Sequence, residues 1–340
     1  MLAVVVQCVR LVSASSCAQC PWCLDPQREC LDPKRDFIQL HKDFTEDLAK
    51  RTSLPRRQIW ECRKASYFGV HPPVTSAELS PLYEDFHGAS LKTANGRKPG
   101  RRMFDRAKAQ VAFIARSARW YSLSPGSTVV ETGSAFGVLL RHFMNSFKDM
   151  KLIGYEPSQP QFQYASQFLK VKQNASAPVL VNALFEPEAA EHSLGLGSVD
   201  LFMSSHVLEH VPDICTFVHS LARLIRPGGI VFSEVPNTDR ALVSSSDHRG
   251  TFHLSFFSPK SFMLIMESAG FRCLNFELVY KNQTSVSVQA GARARASHKY
   301  RSDTVTSMRS LFVKLQPGTK YTHAKECDFV HAQSGGGLRL

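Results

Sequence analysis

The 340-residue chain has no stretch approaching the roughly 20 consecutive apolar residues that a membrane span requires, so its pattern excludes a membrane-spanning function and points to a soluble protein. It also lacks an interleaved stripe of aromatic and basic side chains, the sequence signature of a groove that tracks nucleic acid. No basic residue precedes the short apolar run Leu2 to Val6, so a secretory leader is not indicated. Without a secretory route, the sequons at Asn174 and Asn282 carry no argument. No acidic residue occurs before Asp25, which leaves an organelle transit peptide open beside the cytoplasmic location expected otherwise.

What is present is a basic excess, and it is unevenly placed. The net charge is +12, of which about +6 falls in residues 1–110, about 0 in 111–285 and about +6 in 286–340. The flanks therefore carry it, which is more often solvation than recognition of a polyanion. Five of the nine cysteines, Cys8, Cys17, Cys20, Cys23 and Cys30, crowd into the first thirty residues. The spacing C-x2-C-x2-C-x6-C could ligate zinc or an iron-sulfur cluster, yet no second pair or histidine completes a module, and a disordered or processed segment over 1–32 is the favoured reading.

Phe37, Leu40, Phe44 and Leu48 recur at three- and four-residue intervals, which predicts a helix within 33–66. Proline and glycine then punctuate the chain from His71 to Gly100, giving an N-terminal extension over 33–102 of helical and irregular character. Tyr67, Phe68, Tyr83 and Phe86 are candidates for a lid over a site, and equally for packing. From Met103 to Trp120 the apolar residues Phe104, Ala107, Val111, Ile114 and Ala118 predict a helix that opens the main domain.

Beyond Pro125-Gly126 short β-branched runs alternate with longer helical ones. Strands are predicted at 128–132, 151–155, 178–182, 199–204, 229–234 and 271–279, with helices near 137–147, 160–170, 213–225 and 259–269. Such alternation predicts an α/β domain whose sheet is largely parallel and covered on both faces. Leu311 to Leu315 could add a final strand, after a flexible insertion over 283–303 and before a basic tail over 316–340.

In such a sheet the ligand lies at the carboxyl ends of the strands. After the first strand come Glu131-Thr132-Gly133-Ser134-Ala135-Phe136-Gly137, a small-residue turn into a helix, where glycine permits close approach and the helix start offers N–H groups to a carboxylate. Alone this turn is weak, because such corners also serve packing. The second strand ends at Glu156, about 23 residues past Gly133, the separation at which a carboxylate reaches a ribose.

Three further segments follow in order: Ser198 to Asp213 with its Leu208-Glu209-His210-Val211-Pro212-Asp213 run, the turn Pro227-Gly228-Gly229, and Glu234-Val235-Pro236-Asn237 followed by His253-Leu254-Ser255-Phe256-Phe257-Ser258 and Ala269-Gly270-Phe271. Over residues 103–315 the chain resembles the class I S-adenosylmethionine-dependent methyltransferases, in particular a small-molecule subgroup. The resemblance implies a Rossmann-like sandwich with a largely parallel, seven-stranded sheet. It implies that Glu131, Gly133, Ser134, Ala135 and Gly137 form the methionine-binding turn, Glu156 holds the ribose, Leu184 and Phe185 border the adenine, and Ser204 and Ser205 adjoin the cofactor. Two positions depart from the pattern: Ala135 stands where many relatives carry glycine, and no Asp occupies Asn182 to Phe185, leaving Asn182 or backbone carbonyls to meet the adenine amino group.

Methyl transfer needs alignment of a nucleophile with the sulfonium methyl and, where the nucleophile carries a proton, a base. His206 is the first candidate for base or acceptor contact, with Glu209 and His210 beside it, although the family resemblance also implies that His210 caps and packs the next helix. The spacing His206-x-x-Glu209-His210 also matches inverted zincins, and some methyltransferases hold a divalent ion at this turn, so His206, Glu209, His210 and His253 are the candidate metal ligands, against a default of none. Enzymatic methyl transfer to a small molecule is the leading reading, with nucleic-acid and protein acceptors left open. The competing readings are a methyltransferase-like binding module without turnover and a metal hydrolase.

Overall fold

The computed structural model describes residues 37–41, 58–62, 67–71, 74–75, 77–79, 99–118, 123–170, 177–238, 253–280, 285–287 and 305–316. In chain order the elements are β1 (Phe37–His41), β2 (Gln58–Cys62), β3 (Tyr67–His71), α1 (Arg101–Ala118), β4 (Thr128–Thr132), α2 (Val138–Ser146), β5 (Lys151–Tyr155), α3 (Gln159–Phe168), β6 (Val179–Val181), α4 (Pro187–Leu194) and β7 (Val199–Ser205). A 3₁₀ turn at Leu208–His210 leads to α5 (Ile214–Leu224), β8 (Ile225–Pro236), β9 (Ser255–Phe257), α6 (Pro259–Ser268), β10 (Phe271–Tyr280), β11 (Ser285–Ser287) and β12 (Val305–Lys314).

The main sheet runs β11-β10-β12-β8-β7-β4-β5-β6. Strands β6, β5, β4, β7 and β8 pair in parallel, whereas β12 pairs antiparallel with both β8 and β10. Seven of these strands form the expected α/β sandwich, and β11 adds a three-residue eighth strand on the edge, inside the segment read as an insertion. Strand order reverses at β4, between β5 and β7, which opens a crevice at its carboxyl end.

Strand periodicity divides the core between the two faces. Leu201 and Met203 of β7 face α1 and α2 with Val111, Ile114, Leu140 and Phe143. Phe202, on the alternate side, packs with Val218 and Leu221 of α5 and with Phe262 and Met266 of α6. Each such buried side chain contributes about 1.5–3 kcal/mol of transfer free energy, so both helical layers are held by the same strands. The helix starts are specified locally. Asp213 caps α5 by accepting from the Thr216 N–H at 3.0 Å, and Ser258 and Ser261 form a reciprocal capping box on α6.

The N-terminal extension departs from expectation. Its residues 37–41, 58–62 and 67–71 form strands, in a second sheet ordered β1-β2-β3-β9 in which every pairing is antiparallel, and 77–79 are helical. The helix predicted within 33–66 is replaced at Phe37–His41 and Gln58–Cys62, because pairing between distant segments overrides a local helical period. Phe44 and Leu48 lie outside the described residues, as do Tyr83, Phe86, the cysteine-rich segment 1–32 and the tail beyond 316. Tyr67 and Phe68 are buried at 4% and 3% exposure. The Tyr67 and Ser255 hydroxyls share a buried hydrogen bond of 2.8 Å, tying the extension to β9.

Candidate functional site

The crevice at β4 is shaped by a backbone that turns back on itself. Gly133, Ala135 and Gly137 all have positive φ, at 63°, 47° and 73°, and Gly137 is the N-cap of α2. A side chain at Gly133 would put its Cβ 2.5 Å from Val207 Cγ2, so glycine is required there for space as well as conformation. Ala135 adopts the left-handed conformation despite its methyl, a strain of about 1 kcal/mol.

Glu156 organises this turn. Its Oε2 accepts from the Ala135 N–H and its Oε1 from the Ser158 N–H, both at 2.7 Å. Each oxygen retains acceptor capacity, because a carboxylate has about four lone-pair sites. Burial pushes its pKa up, partly offset by these two N–H groups. Glu131 beneath it is buried and also raised, through burial and then the neighbouring Glu156 charge, and its Oε2 has no hydrogen-bond partner. Asn182 Nδ2 donates to the Glu156 carbonyl at 2.8 Å and the Pro157 carbonyl at 3.2 Å, which leaves its Oδ1 as the side-chain acceptor at the end of β6. A cavity of about 320 Å³ continues from Thr132 past Leu184, Phe185, Val207, Val211 and Phe217. Leu184 and Phe185 are both part of this lining.

Ser204 and Ser205 lie at the end of β7. Ser204 is buried and its Oγ has no hydrogen-bond partner. The Ser205 hydroxyl accepts from Gln110 Nε2 at 2.8 Å, which directs it toward α1. His206 then takes a positive φ of 55°, which turns its ring back toward β8. Its Nδ1 is 3.4 Å from Glu209 Oε1 and its Nε2 is 3.5 Å from Glu234 Oε1.

Burial opposes charge on His206, but Glu209 and Glu234 outweigh it and raise its pKa to about 9. The two carboxylates therefore favour the charged, imidazolium form of His206. Glu234 is opposed by burial too, yet His206 and Arg309 hold it at about 2. Arg309 Nε meets Glu234 Oε2 at 2.7 Å and Gln110 Nε2 reaches the same oxygen at 3.0 Å. Arg309 and Gln110 escaped the sequence reading, since a lone arginine in an apolar strand and a glutamine in a helix carry no motif.

Glu209 is also shared with a second group, made with His210 and His253. Their ligand atoms all lie within 4.8 Å of one another. His206 is directed at Glu209 and Glu234 and does not join this group. The H-x-x-E-H segment is a strand end followed by one 3₁₀ turn, so its histidines do not project from one face of a continuous helix, and the inverted-zincin geometry is absent.

A family model described as a methyltransferase domain matches residues 100–275. The C-methyltransferase NovU of Streptomyces niveus is 28% identical over 181 residues, covering 53% of this chain and 40% of that protein, so the chain spans well under half the length of this relative. Among solved structures, magnesium protoporphyrin IX methyltransferase from Synechocystis, with bound S-adenosylmethionine, is 14% identical, with 71% of this chain and 100% of that chain covered at a TM-score of 0.46. Phosphoethanolamine N-methyltransferase 2 of Haemonchus contortus, in complex with S-adenosylmethionine, is also 14% identical, with 73% and 62% covered and a TM-score of 0.45.

Proposed function

This chain belongs to the class I methyltransferase family, and on that premise we propose that it moves a methyl group from S-adenosylmethionine to an oxygen, nitrogen or carbon nucleophile of a small-molecule acceptor. The observation that carries the cofactor assignment is the Glu156 carboxylate, locked at 2.7 Å to the Ala135 and Ser158 N–H groups beside the tight Gly133 turn. Its remaining lone pairs are suited to two ribose hydroxyls. The buried Glu131 Oε2, which has no donor of its own, is suited to the cofactor ammonium group. Gly133, Ser134, Ala135 and Gly137 border the methionine portion, and Leu184 and Phe185 flank the adenine, whose amino group finds an acceptor in Asn182 Oδ1.

When bound, the cofactor supplies an electrophilic methyl group on a sulfonium ion. The work left to the chain is to orient the acceptor and exclude water. Glu209, His210 and His253 build the acceptor side. His206, held between Glu209 and Glu234, is a positioning residue that aligns the Glu209 carboxylate.

Calorimetric titration of the full chain with S-adenosylmethionine and S-adenosylhomocysteine tests the reading. Saturable binding of both, abolished by Gly133→Arg, is expected. Folded protein that binds neither overturns it. Cofactor binding without methyl release on any of a broad acceptor panel would favour a binding module instead.

A further inference from the structure

Three cations converge on the one carboxylate of Glu234, near the carboxyl end of β8. Arg309 Nε stands 2.7 Å from its Oε2, while His206 Nε2 and Arg106 Nε stand 3.5 Å and 3.9 Å from its Oε1. Arg309 also has Glu277 at 3.6 Å, and His206 has Glu209 at 3.4 Å. Arg106 has no second carboxylate, and its contact with Glu234 is too long for a hydrogen bond. Its Nε is buried without a hydrogen-bond partner, although the side chain as a whole is 40% exposed. The two Nη groups are therefore open to solvent and make no hydrogen bond to a described residue. Arg106 is the unmatched cation of the cluster.

Helix α1 sets Arg106 over the strand ends. One turn further along, Gln110 Nε2 donates to Ser205 Oγ at 2.8 Å and to Glu234 Oε2 at 3.0 Å, which fixes this face of α1 above the ends of β7 and β8. Residues four apart share a helix face, so Arg102, Arg106 and Gln110 form one row. Along it the side chains pass from exposed at Arg102 to half-buried at Arg106 and buried at Gln110. Ser205, at the foot of the row, accepts from Gln110 and so keeps its own hydroxyl proton to donate. The preceding residue, Ser204, pairs with Thr132 beside the Gly133 turn, so the row descends to the edge of the assigned cofactor site. The first turn of α1 holds no acidic residue, which leaves Arg102 at the positive end of the helix dipole, where an anion is favoured and a cation is not.

We propose that Arg106, with Arg102 above it and the Ser205 hydroxyl below, binds an anionic group of the methyl acceptor, either a carboxylate or a phosphate. A guanidinium with two open nitrogens matches two oxygens of one such group in parallel, and Ser205 supplies a further donor. Glu234 does not cancel this preference, because its charge is already shared with Arg309 and His206. It instead holds the inner edge of the Arg106 guanidinium and turns the outer edge toward the ligand. The assignment to an acceptor rests on the methyltransferase reading, whereas the anion site itself does not.

Anion binding by the full chain tests this. Inorganic phosphate and acetate are titrated separately by calorimetry, at an ionic strength fixed with sodium chloride, into the chain alone and into the chain saturated with S-adenosylhomocysteine. At least one anion should bind saturably, and the tighter identifies the group. Arg106→Gln should weaken that binding about tenfold or more, since hydrogen bonds involving a charged group are the stronger class. Arg102→Gln should weaken it about two- to fivefold, as an exposed charge does. Lys148→Gln removes the same charge between α2 and β5, at the opposite end of the sheet, and should leave binding unchanged. S-adenosylhomocysteine affinity within about twofold of the parent reports that each variant is folded, because Arg106 shares no partner with Glu156. Saturable binding of neither anion overturns the site, as does an equal loss in Arg106→Gln and Lys148→Gln. Should Arg106→Gln not fold, unchanged affinity in Arg102→Gln overturns it. A chain that binds the anion through Arg106 but never S-adenosylhomocysteine would keep the site and overturn the methyltransferase reading instead.

Discussion

The Ala135 N–H donates to Glu156 Oε2 at 2.7 Å, so the residue assigned to the cofactor ribose also fixes the turn assigned to its methionine portion. Hydrogen bonds to a charged group are worth about 1.5–3 kcal/mol, and Glu156→Gln replaces one acceptor oxygen by a donor facing an N–H. The variant should bind S-adenosylhomocysteine at least about tenfold, and up to about a hundredfold, more weakly while unfolding cooperatively. Unchanged affinity in calorimetry would remove Glu156 from the site.

Affinity should depend on pH through the same carboxylate. Burial raises the Glu156 pKa above its ordinary 4.5. Ribose hydroxyls favour the ionised form, so the cofactor lowers that pKa, and binding takes place with proton release wherever free Glu156 is partly protonated. S-adenosylhomocysteine affinity should therefore fall as pH drops from neutrality toward 4.5, beginning at a higher pH than an ordinary carboxylate would allow. Calorimetry in buffers of different ionisation enthalpy reads the released proton. The signal should vanish in Glu156→Gln.

Two positions in the turn should respond oppositely to a single methyl group. Gly133→Ala brings a Cβ against Val207 at 2.5 Å at a backbone φ of 63°, and should weaken cofactor binding by tenfold or more, from about 1–2 kcal/mol of conformational strain plus the clash. Ala135→Gly removes the strain at φ 47° but adds unfolded-chain entropy of about 0.5–1 kcal/mol, so stability should change by less than about 1 kcal/mol and binding should be kept. Urea unfolding with cofactor titration checks both, and a severe loss in Ala135→Gly would refute the strain.

How far the sequence discloses this molecule depends on whether a feature is local. The Gly133 turn and the strand ending at Glu156 announce themselves within a few residues, and the parallel core strands lie within a few residues of their expected bounds. Strand β1 does not, because its partner Gln58–Cys62 is distant and its apolar spacing fits a helix equally well. The histidines mislead for a similar reason. A spacing of four residues between His206 and His210 is the same on a helix or across a strand end, and only the φ of 55° at His206 sends one ring toward Glu234 while His210 goes to Glu209 and His253.

The buried pair between Arg309 and Glu234 joins β12 to β8 at 1% and 0% side-chain exposure. Removing one member of such a pair costs about 3–5 kcal/mol where the other is left charged and unmatched, but Glu234 keeps His206 and Gln110 and Arg309 keeps Glu277. Arg309→Met should therefore cost less than about 3 kcal/mol in urea unfolding, and Arg309→Met with Glu234→Gln should cost less than the two changes added. Glu234 titrates at about 2 when folded against an ordinary 4.5, so its contribution is complete above 4.5 and is lost as pH falls toward 2. Acid unfolding should begin at higher pH in Arg309→Met, and an additive double variant would mean the residues do not interact.

The N-terminal sheet should prove inseparable from the methyltransferase core. Strand β3 pairs with β9 from Tyr67 to Gly69, the Tyr67 ring is 6.2 Å from that of Phe257, and Phe257 is itself fully buried. Deleting residues 1–98 removes Ile59, Tyr67, Phe68 and Val70, each of which contributes about 1.5–3 kcal/mol by burial, and leaves β9 as an open edge carrying two exposed phenylalanines. The truncated chain should lose several kcal/mol in urea unfolding and gain a tendency to aggregate. Tyr67→Phe is the gentler variant, leaving Ser255 Oγ without its buried partner for a cost of about 1–3 kcal/mol while S-adenosylhomocysteine affinity stays within about threefold. A truncated chain that unfolds at the full-length midpoint would instead make the extension a detachable lid.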